Sequence, residues 1–156
     1  MAEPENIITY IEKDLAKGLP LTGKKVLVTA GPTHEAIDPV RFLGNRSTGT
    51  MGFELAKKAA DLGANVILVS GPTCLDVNHR SIELMRVTSA QEMYEACHKY
   101  YGDMDVVICA AAVADYRPKS IATEKVKKKE GDMFIELERT PDILMSLGKN
   151  KMKSFF

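Results

Sequence analysis

Lys24-Lys25-Val26-Leu27-Val28-Thr29-Ala30-Gly31-Pro32 is the stretch on which the fold turns. Val26-Leu27-Val28 has no polar residue at alternate positions, so it fits a strand covered on both faces, and Gly31-Pro32 ends it. The pattern recurs downstream. Val66-Ile67-Leu68-Val69 stops at Ser70-Gly71-Pro72, Ile82 to Val87 reads as a third strand, and Asp105 opens a fourth, Val106-Val107-Ile108-Cys109. Helices alternate with these strands. Gly52, Leu55, Ala56 and Ala59 mark one face of a helix that stops at Gly63. Ser89-Ala90-Gln91-Glu92 is a capping box ahead of Met93, Ala96, Cys97 and Tyr100. Together they predict the α/β class, with a Rossmann-like doubly wound parallel sheet in the order 3-2-1-4 and beyond, because right-handed crossovers leave few other arrangements. A sheet of four has one bare side, so further strands are expected there.

Upstream, Pro4 suits a first helical turn, and Ile7, Ile8, Ile11 and Leu15 recur at helical spacing until Gly18-Leu19-Pro20. This helix reads equally as a linker packed on something else and as a helix docked on the same domain. Downstream, Ala110 to Pro118 leaves the sheet as a loop. Lys125-Val126-Lys127-Lys128-Lys129 and Met133-Phe134-Ile135-Glu136-Leu137 then predict a flap hairpin turning at Gly131-Asp132. Thr140 is the expected N-cap of a last helix, with Pro141 at its first position and Gly148 at its stop. The organisation expected is a linker helix over 1–22, one domain over 23–148 and a basic stub over 149–156.

At 156 residues the chain suffices for one domain with a core. Its 21 Lys plus Arg balance 21 Asp plus Glu, so no global field recruits nucleic acid or membrane, and any anion must be held locally. Cys74, Cys97 and Cys109 lack CxxC spacing and read as thiols of a reducing compartment. No apolar run could span a bilayer, and the acidic N-terminus lacks a signal-peptide start, so a cytoplasmic location is expected. His34, His79 and His98 share no metal-ligand spacing, no protein-held metal is expected, and His98 is expected at the surface.

In a 3-2-1-4 sheet a crevice is expected between the carboxyl ends of strands 1 and 4, reached by Ala30-Gly31-Pro32-Thr33 and Ala110-Ala111-Ala112. The long excursion after strand 1 ends in Asn45-Arg46-Ser47-Thr48-Gly49-Thr50-Met51-Gly52, ahead of a helix. Amides there, the Ser47 and Thr48 hydroxyls and the helix dipole make a phosphate or anion loop with Gly31 and Gly49. Gly49 and Gly52 also read as residues that only cap and pack the helix. A dinucleotide oxidoreductase is disfavoured, because no G-x-G-x-x-G follows strand 1 and strand 2 ends in Ser70-Gly71 rather than an acid. The Gly-Lys-Ser/Thr of a Walker-type NTPase is absent as well.

Thr29-Ala30-Gly31-Pro32-Thr33, Asp38-Pro39-Val40-Arg41-Phe42 and Asn45-Arg46-Ser47-Thr48-Gly49 through Met51-Gly52 closely resemble phosphopantothenoylcysteine synthetase. Ala110 to Tyr116, Lys125 to Lys128 and Pro141 to Leu144 match further along in the same order. The resemblance covers about residues 23 to 148. Met1-Ala2-Glu3-Pro4-Glu5 is similar to the junction where the bacterial enzyme's flavin-dependent decarboxylase half gives way to its synthetase half. Nothing after Lys149 matches the family's later strand and lysine pair, so the chain reads as that domain, truncated at its C-terminus.

The resemblance implies CTP-dependent ligation of 4′-phosphopantothenate with L-cysteine through an acyl-cytidylate, in coenzyme A biosynthesis. It also implies Mg2+ on the nucleotide, a homodimer, and fusion to or association with the decarboxylase. By position in those motifs, Asn45 corresponds to a catalytic asparagine whose amide donates to the acyl group or orients the carboxylate. Lys125 corresponds to the lysine that opens a mobile flap and meets phosphates as a point charge. Cys109, Ala110, Ala111, Asp115 and Pro141-Asp142-Ile143-Leu144 correspond to CTP-binding segments, with Asp115 reaching the nucleotide directly or through the cation. The helix start after Thr140 is a second anion-favouring feature. Lys127, Lys128 and Lys129 also read as a solvated strand face. Two rivals stand beside this reading: a non-catalytic nucleotide-binding fragment, and a reductase related by fold alone.

Overall fold

A computed structural model of the chain describes residues 3–16, 18–128 and 131–149. Helix α1 (Pro4–Ala16) leads to β1 (Lys25–Ala30), which forms where the apolar run predicts it. β4 (Asn65–Ser70), β5 (Ile82–Arg86) and β6 (Val106–Cys109) lie parallel with it in the order β5-β4-β1-β6. This is the 3-2-1-4 order read from the sequence. Side chains alternate across the central strand. Val26, Val28 and Ala30, with Val66 and Leu68, meet Phe53, Ala56, Ala59 and Ala60 of α2 (Thr50–Asp61). Leu27, Val69 and Val107 meet Met93, Ala96 and Cys97 of α3 (Ala90–Tyr101), with Ile143 and Leu147 of α4 (Ile143–Lys149). Helices on both faces are why the run has no polar alternation, and each large side chain so covered contributes roughly 1.5–3 kcal/mol.

Two glycines let this packing close. A Cβ on Gly52 would come within 2.5 Å of the Ala30 Cβ, so glycine allows the start of α2 to lie against β1. A Cβ on Gly71 would stand 1.6 Å from the Pro32 carbonyl oxygen, where the loops after β4 and β1 cross. The α3 cap forms with a shift in partner. Ser89 Oγ accepts the Glu92 amide at 3.2 Å, whereas the Glu92 carboxylate accepts from Thr88 at 2.6 Å rather than from Ser89. The buried Glu35 supplies a further cap from far along the chain, accepting the Ala90 amide at 2.9 Å.

The remaining elements differ from expectation. The excursion after β1 contains an antiparallel pair, β2 (His34–Ala36) with β3 (Phe42–Gly44). The expected hairpin of Lys125 to Lys129 with Met133 to Leu137 does not form among the described residues; Lys129 and Glu130 lie outside them. Instead β7 (Tyr116–Pro118), expected as loop, pairs antiparallel with β8 (Leu137–Arg139). The reason is where the Lys125 segment satisfies its backbone. Val126 gives its amide to Asp38 at 3.1 Å and takes Arg41 on its carbonyl at 3.0 Å. Thr140 is not the cap of α4. Its hydroxyl donates to the Ala114 carbonyl, and the Asp142 carboxylate accepts the Met145 amide at 2.8 Å. Gly148 lies within α4, not beyond it. Residues 150–156 of the expected stub, and Met1-Ala2 of the expected junction, lie outside the described residues. Ile7, Ile8 and Ile11 of α1 are exposed.

Candidate functional site

β1 and β6 go on pairing beyond their ends. The Ala110 amide donates to Thr29 O, Ala112 to Gly31 O and Thr33 to Ala112 O, at 3.2, 2.8 and 3.3 Å. Two buried threonines tighten the seam, Thr29 Oγ1 accepting the Ala111 amide at 3.2 Å and Thr33 Oγ1 that of Ala114 at 2.9 Å. The crevice expected between these loops is therefore closed, because the backbone groups it would have offered satisfy one another. Asn45 fastens the seam from the side, its Nδ2 donating to Ala112 O and Val113 O at 3.3 and 2.9 Å. Open space lies on either side. Cys109 and Ala111 line one cavity, and Ala110 lines another.

The larger cavity measures ≈ 680 Å³ and brings together Cys109, Ala111, Asp115 and Pro141, Asp142, Ile143 and Leu144, with Thr29, Arg139 and Thr140. Of the expected CTP-binding residues, Ala110 and Lys125 stand apart from it. A volume of this order suits a small-molecule ligand. Its charged groups are two carboxylates, Asp115 and Asp142, and the Arg139 guanidinium. The Cys109 thiol is held above its ordinary value, first by desolvation in the pocket wall and then by the Asp142 carboxylate, against a hydrogen bond from Thr29. Cys97, buried beneath, is pushed up to about 12 by burial, with Cys109 adding to the effect. Asp142 also alters the expected anion site at the start of α4, because its carboxylate occupies the helix-opening amide and would repel a phosphate there. Among the described residues no group of three or more His, Cys, Asp or Glu could hold a metal ion. Asp115 and Asp142 could give one or two carboxylates to magnesium arriving on phosphates, which needs no more.

The smaller cavity, ≈ 500 Å³, is lined by Arg46, Ser47, Thr48, Gly49, Thr50, Met51 and Ala110. Ser47 Oγ accepts the Gly49 amide at 3.2 Å, and the Thr48 and Thr50 hydroxyls share a hydrogen bond of 2.8 Å. Gly49, with φ +81°, opens α2 without a side-chain cap, so the first turn of that helix faces the cavity. Gly31 stands behind the loop, where a Cβ on Gly49 would lie 3.2 Å from the Gly31 Cα. The four residues expected as an anion loop are thus neighbours.

Sequence reasoning missed the device beside Lys125. The buried Asp38 carboxylate accepts the amides of Val40, Arg41 and Val126 at 2.9, 2.8 and 3.1 Å, and Arg41 Nε at 3.0 Å and Nη2 at 2.5 Å. The Arg41 guanidinium, with help from those amides, holds Asp38 well below the usual carboxylate range. The chain next to Lys125 is pinned, while Lys125 itself is exposed and lines neither cavity. Asp38-Pro39 signals a turn in sequence, but nothing local announces that residue 126 shares the carboxylate. His98 was missed as well. Expected at the surface, it is half-buried and bonded to Ser146.

Residues 21–156 match the family described as DNA/pantothenate metabolism flavoprotein C-terminal domain. This corrects the sequence reading, which had stopped the resemblance at residue 148 and taken the chain for the synthetase half of a bifunctional enzyme cut short. The family pattern runs through Phe156 and takes in the supposed stub. The coenzyme A biosynthesis bifunctional protein CoaBC of Bacillus subtilis (strain 168) is 52% identical over 153 residues, 97% of this chain and 38% of that protein. A cysteine/cysteine sulfinic acid decarboxylase from a prokaryote of unknown identity is 45% identical over 158 residues, 99% of this chain and 44% of that one. The chain thus spans less than half the length of these two relatives. Among solved structures, the C-terminal domain of a coenzyme A biosynthesis bifunctional protein CoaBC is 51% identical with a TM-score of 0.74, covering 86% of this chain and 62% of that one. Among the described residues no helix is long and apolar enough to cross a membrane.

Proposed function

Because the chain belongs to the DNA/pantothenate metabolism flavoprotein C-terminal domain family, we propose that it acts in coenzyme A biosynthesis, as a ligase that uses CTP to join 4′-phosphopantothenate to L-cysteine. The observation that carries this reading is the convergence of Cys109, Ala111, Asp115 and Pro141 to Leu144 on one cavity. The coenzyme A biosynthesis role for which the Bacillus subtilis relative is named supports the pathway. The two carboxylates of the larger cavity suit the amino and hydroxyl donors of a nucleoside. Arg46, Ser47, Thr48 and the first turn of α2, across the seam, suit its phosphates.

In the first step a carboxylate oxygen of phosphopantothenate attacks the α-phosphorus of CTP, and the bond to pyrophosphate breaks. In the second the cysteine amine attacks the acyl carbon, CMP leaves with the bonding pair, and the amine loses a proton. Arg46 and Lys125 screen the two anions from one another. Asn45 spends its Nδ2 on the seam, which leaves its Oδ1 to accept from the substrate amine. Asp115 would hold magnesium arriving on the nucleotide, which would supply charge neutralisation on the phosphates. The chain forms a homodimer, for which the exposed Val40, Phe42, Ile121 and Phe134 offer apolar surface.

A second reading, nucleotide binding without turnover, is favoured by one observation: Lys125 lines neither cavity. Calorimetry with CTP, ATP, GTP and NADPH tests the common ground, and CTP should bind most tightly. Equal or tighter binding of NADPH would overturn the ligase and restore the reductase. Conversion of labelled 4′-phosphopantothenate then separates the two surviving readings.

A further inference from the structure

α4 carries the wall of the larger cavity, and its seven described residues form too short a stretch to hold their shape without packing. Its start is tied to the far side of the cavity, where the Thr140 amide donates to Asp115 O at 3.0 Å and the Thr140 hydroxyl to Ala114 O. Its inner face is anchored by Ile143 and Leu147 among the residues of α3. Apolar contact alone fixes depth but not rotation, since a helix can turn about its axis and still bury leucine. One residue of α4, Ser146, makes polar side-chain contacts with α3. His98 Nε2 and Ser146 Oγ are 2.8 Å apart, and the Ser146 hydroxyl donates to the Tyr94 phenol at 3.1 Å. The Tyr94 and His98 rings pack at 4.2 Å between centroids, so the two α3 residues brace each other one turn apart. All three side chains are half-buried.

With the Ser146 hydroxyl hydrogen directed at Tyr94, its oxygen accepts from His98 when the ring carries its proton on Nε2. Directed in this way, Ser146 is not an activated nucleophile, and the cluster is a latch and not a second catalytic centre. We propose that His98 and Ser146, braced by Tyr94, form a latch that sets the angle of α4. It thereby positions the Asp142 to Met145 wall for the nucleotide. His98 and Ser146 are positioning residues that touch no substrate. The proposal deepens the CTP reading and rests on it for its ligand, while the latch is testable without any ligand.

The test uses the full chain in four forms: unmodified, His98→Ala, Ser146→Ala and the double variant, with His98→Gln as the conservative fifth. Gln presents an N–H donor near the position of Nε2. Amide exchange at Met145 to Leu147 reports the angle of α4, calorimetry with CTP reports the cavity, and thermal melting reports the fold. Each alanine variant should speed exchange in α4 and weaken CTP about fivefold to tenfold, the worth of one hydrogen bond. The double variant should be no worse than the poorer single, and His98→Gln should restore both readouts. Unchanged exchange in both single variants overturns the latch. So does a fall in melting temperature with CTP affinity intact well below the transition, which would make the cluster structural only. If CTP fails to bind the unmodified chain, the ligase reading falls, and the exchange data still decide whether α4 is latched.

Discussion

Asp38 concentrates more donors on one carboxylate than any other residue described above, and its effect on stability has a definite sign. Its folded value is depressed, with the Arg41 guanidinium as the largest cause. The stabilisation is therefore fully present above the ordinary carboxylate range near about 4 and is lost as pH falls below it toward the depressed value. Melting temperature should drop steeply on acidification through that window. Asp38→Asn should lower the melting temperature at neutral pH and flatten the acid limb, since the amide keeps the shape and loses the charge. An unaltered acid limb in the variant would mean that other carboxylates control it; Asp105, lowered by the Lys25 amide and the Lys24 ammonium, is the first to examine.

At the level of elements, close approach of α2 to β1 makes Gly52 a test of packing. Adding one methyl forces its Cβ against the Ala30 Cβ and the Thr29 carbonyl, at 2.5 and 2.9 Å, both on the central strand. Gly52→Ala should cost about 1–3 kcal/mol in urea denaturation. Gly102→Ala, with nothing within 4 Å of its Cβ, should be neutral within error. Equal effects would show that helix propensity and not contact governs both. The same distinction explains what the sequence disclosed. β1, β4, β5 and β6 were legible because burial on two faces leaves an unbroken apolar run, and α2 and α3 because each buries one stripe. β2, β3, β7 and β8 have three residues each, partly exposed, and carry no such pattern. β2 and β3 pair locally, whereas β7 meets β8 across about twenty residues because Val126 goes to Asp38 instead of to the 133–137 segment.

Over the whole molecule, the candidate cavity was legible as a set of segments but not as a shape. Small residues at Ala110 and Ala111 do border open space, yet the crevice they were expected to open is sealed by amides pairing with carbonyls, and the space lies to either side. Periodicity reports which face is covered, not which backbone groups remain free. Assembly belongs to this scale too. Sedimentation at micromolar concentration should give twice the chain mass, and Phe134→Asp, at a side chain 90% exposed, should give the single mass with little change in melting temperature. A Phe134→Asp variant that remains double in mass would move the interface elsewhere.

The seam between β1 and β6 joins Thr29 to Ala111, residues 82 apart in sequence. On a ribosome adding about 5–20 residues per second, the central strand therefore waits several seconds for the neighbour that completes it. During that interval Val26-Leu27-Val28 is an unpaired apolar edge, the kind of segment that holdase chaperones bind and that nascent chains share with one another. The yield of this domain in a cell should therefore follow the speed of synthesis between β1 and β6, and the supply of chaperones, more closely than the stability of the finished fold.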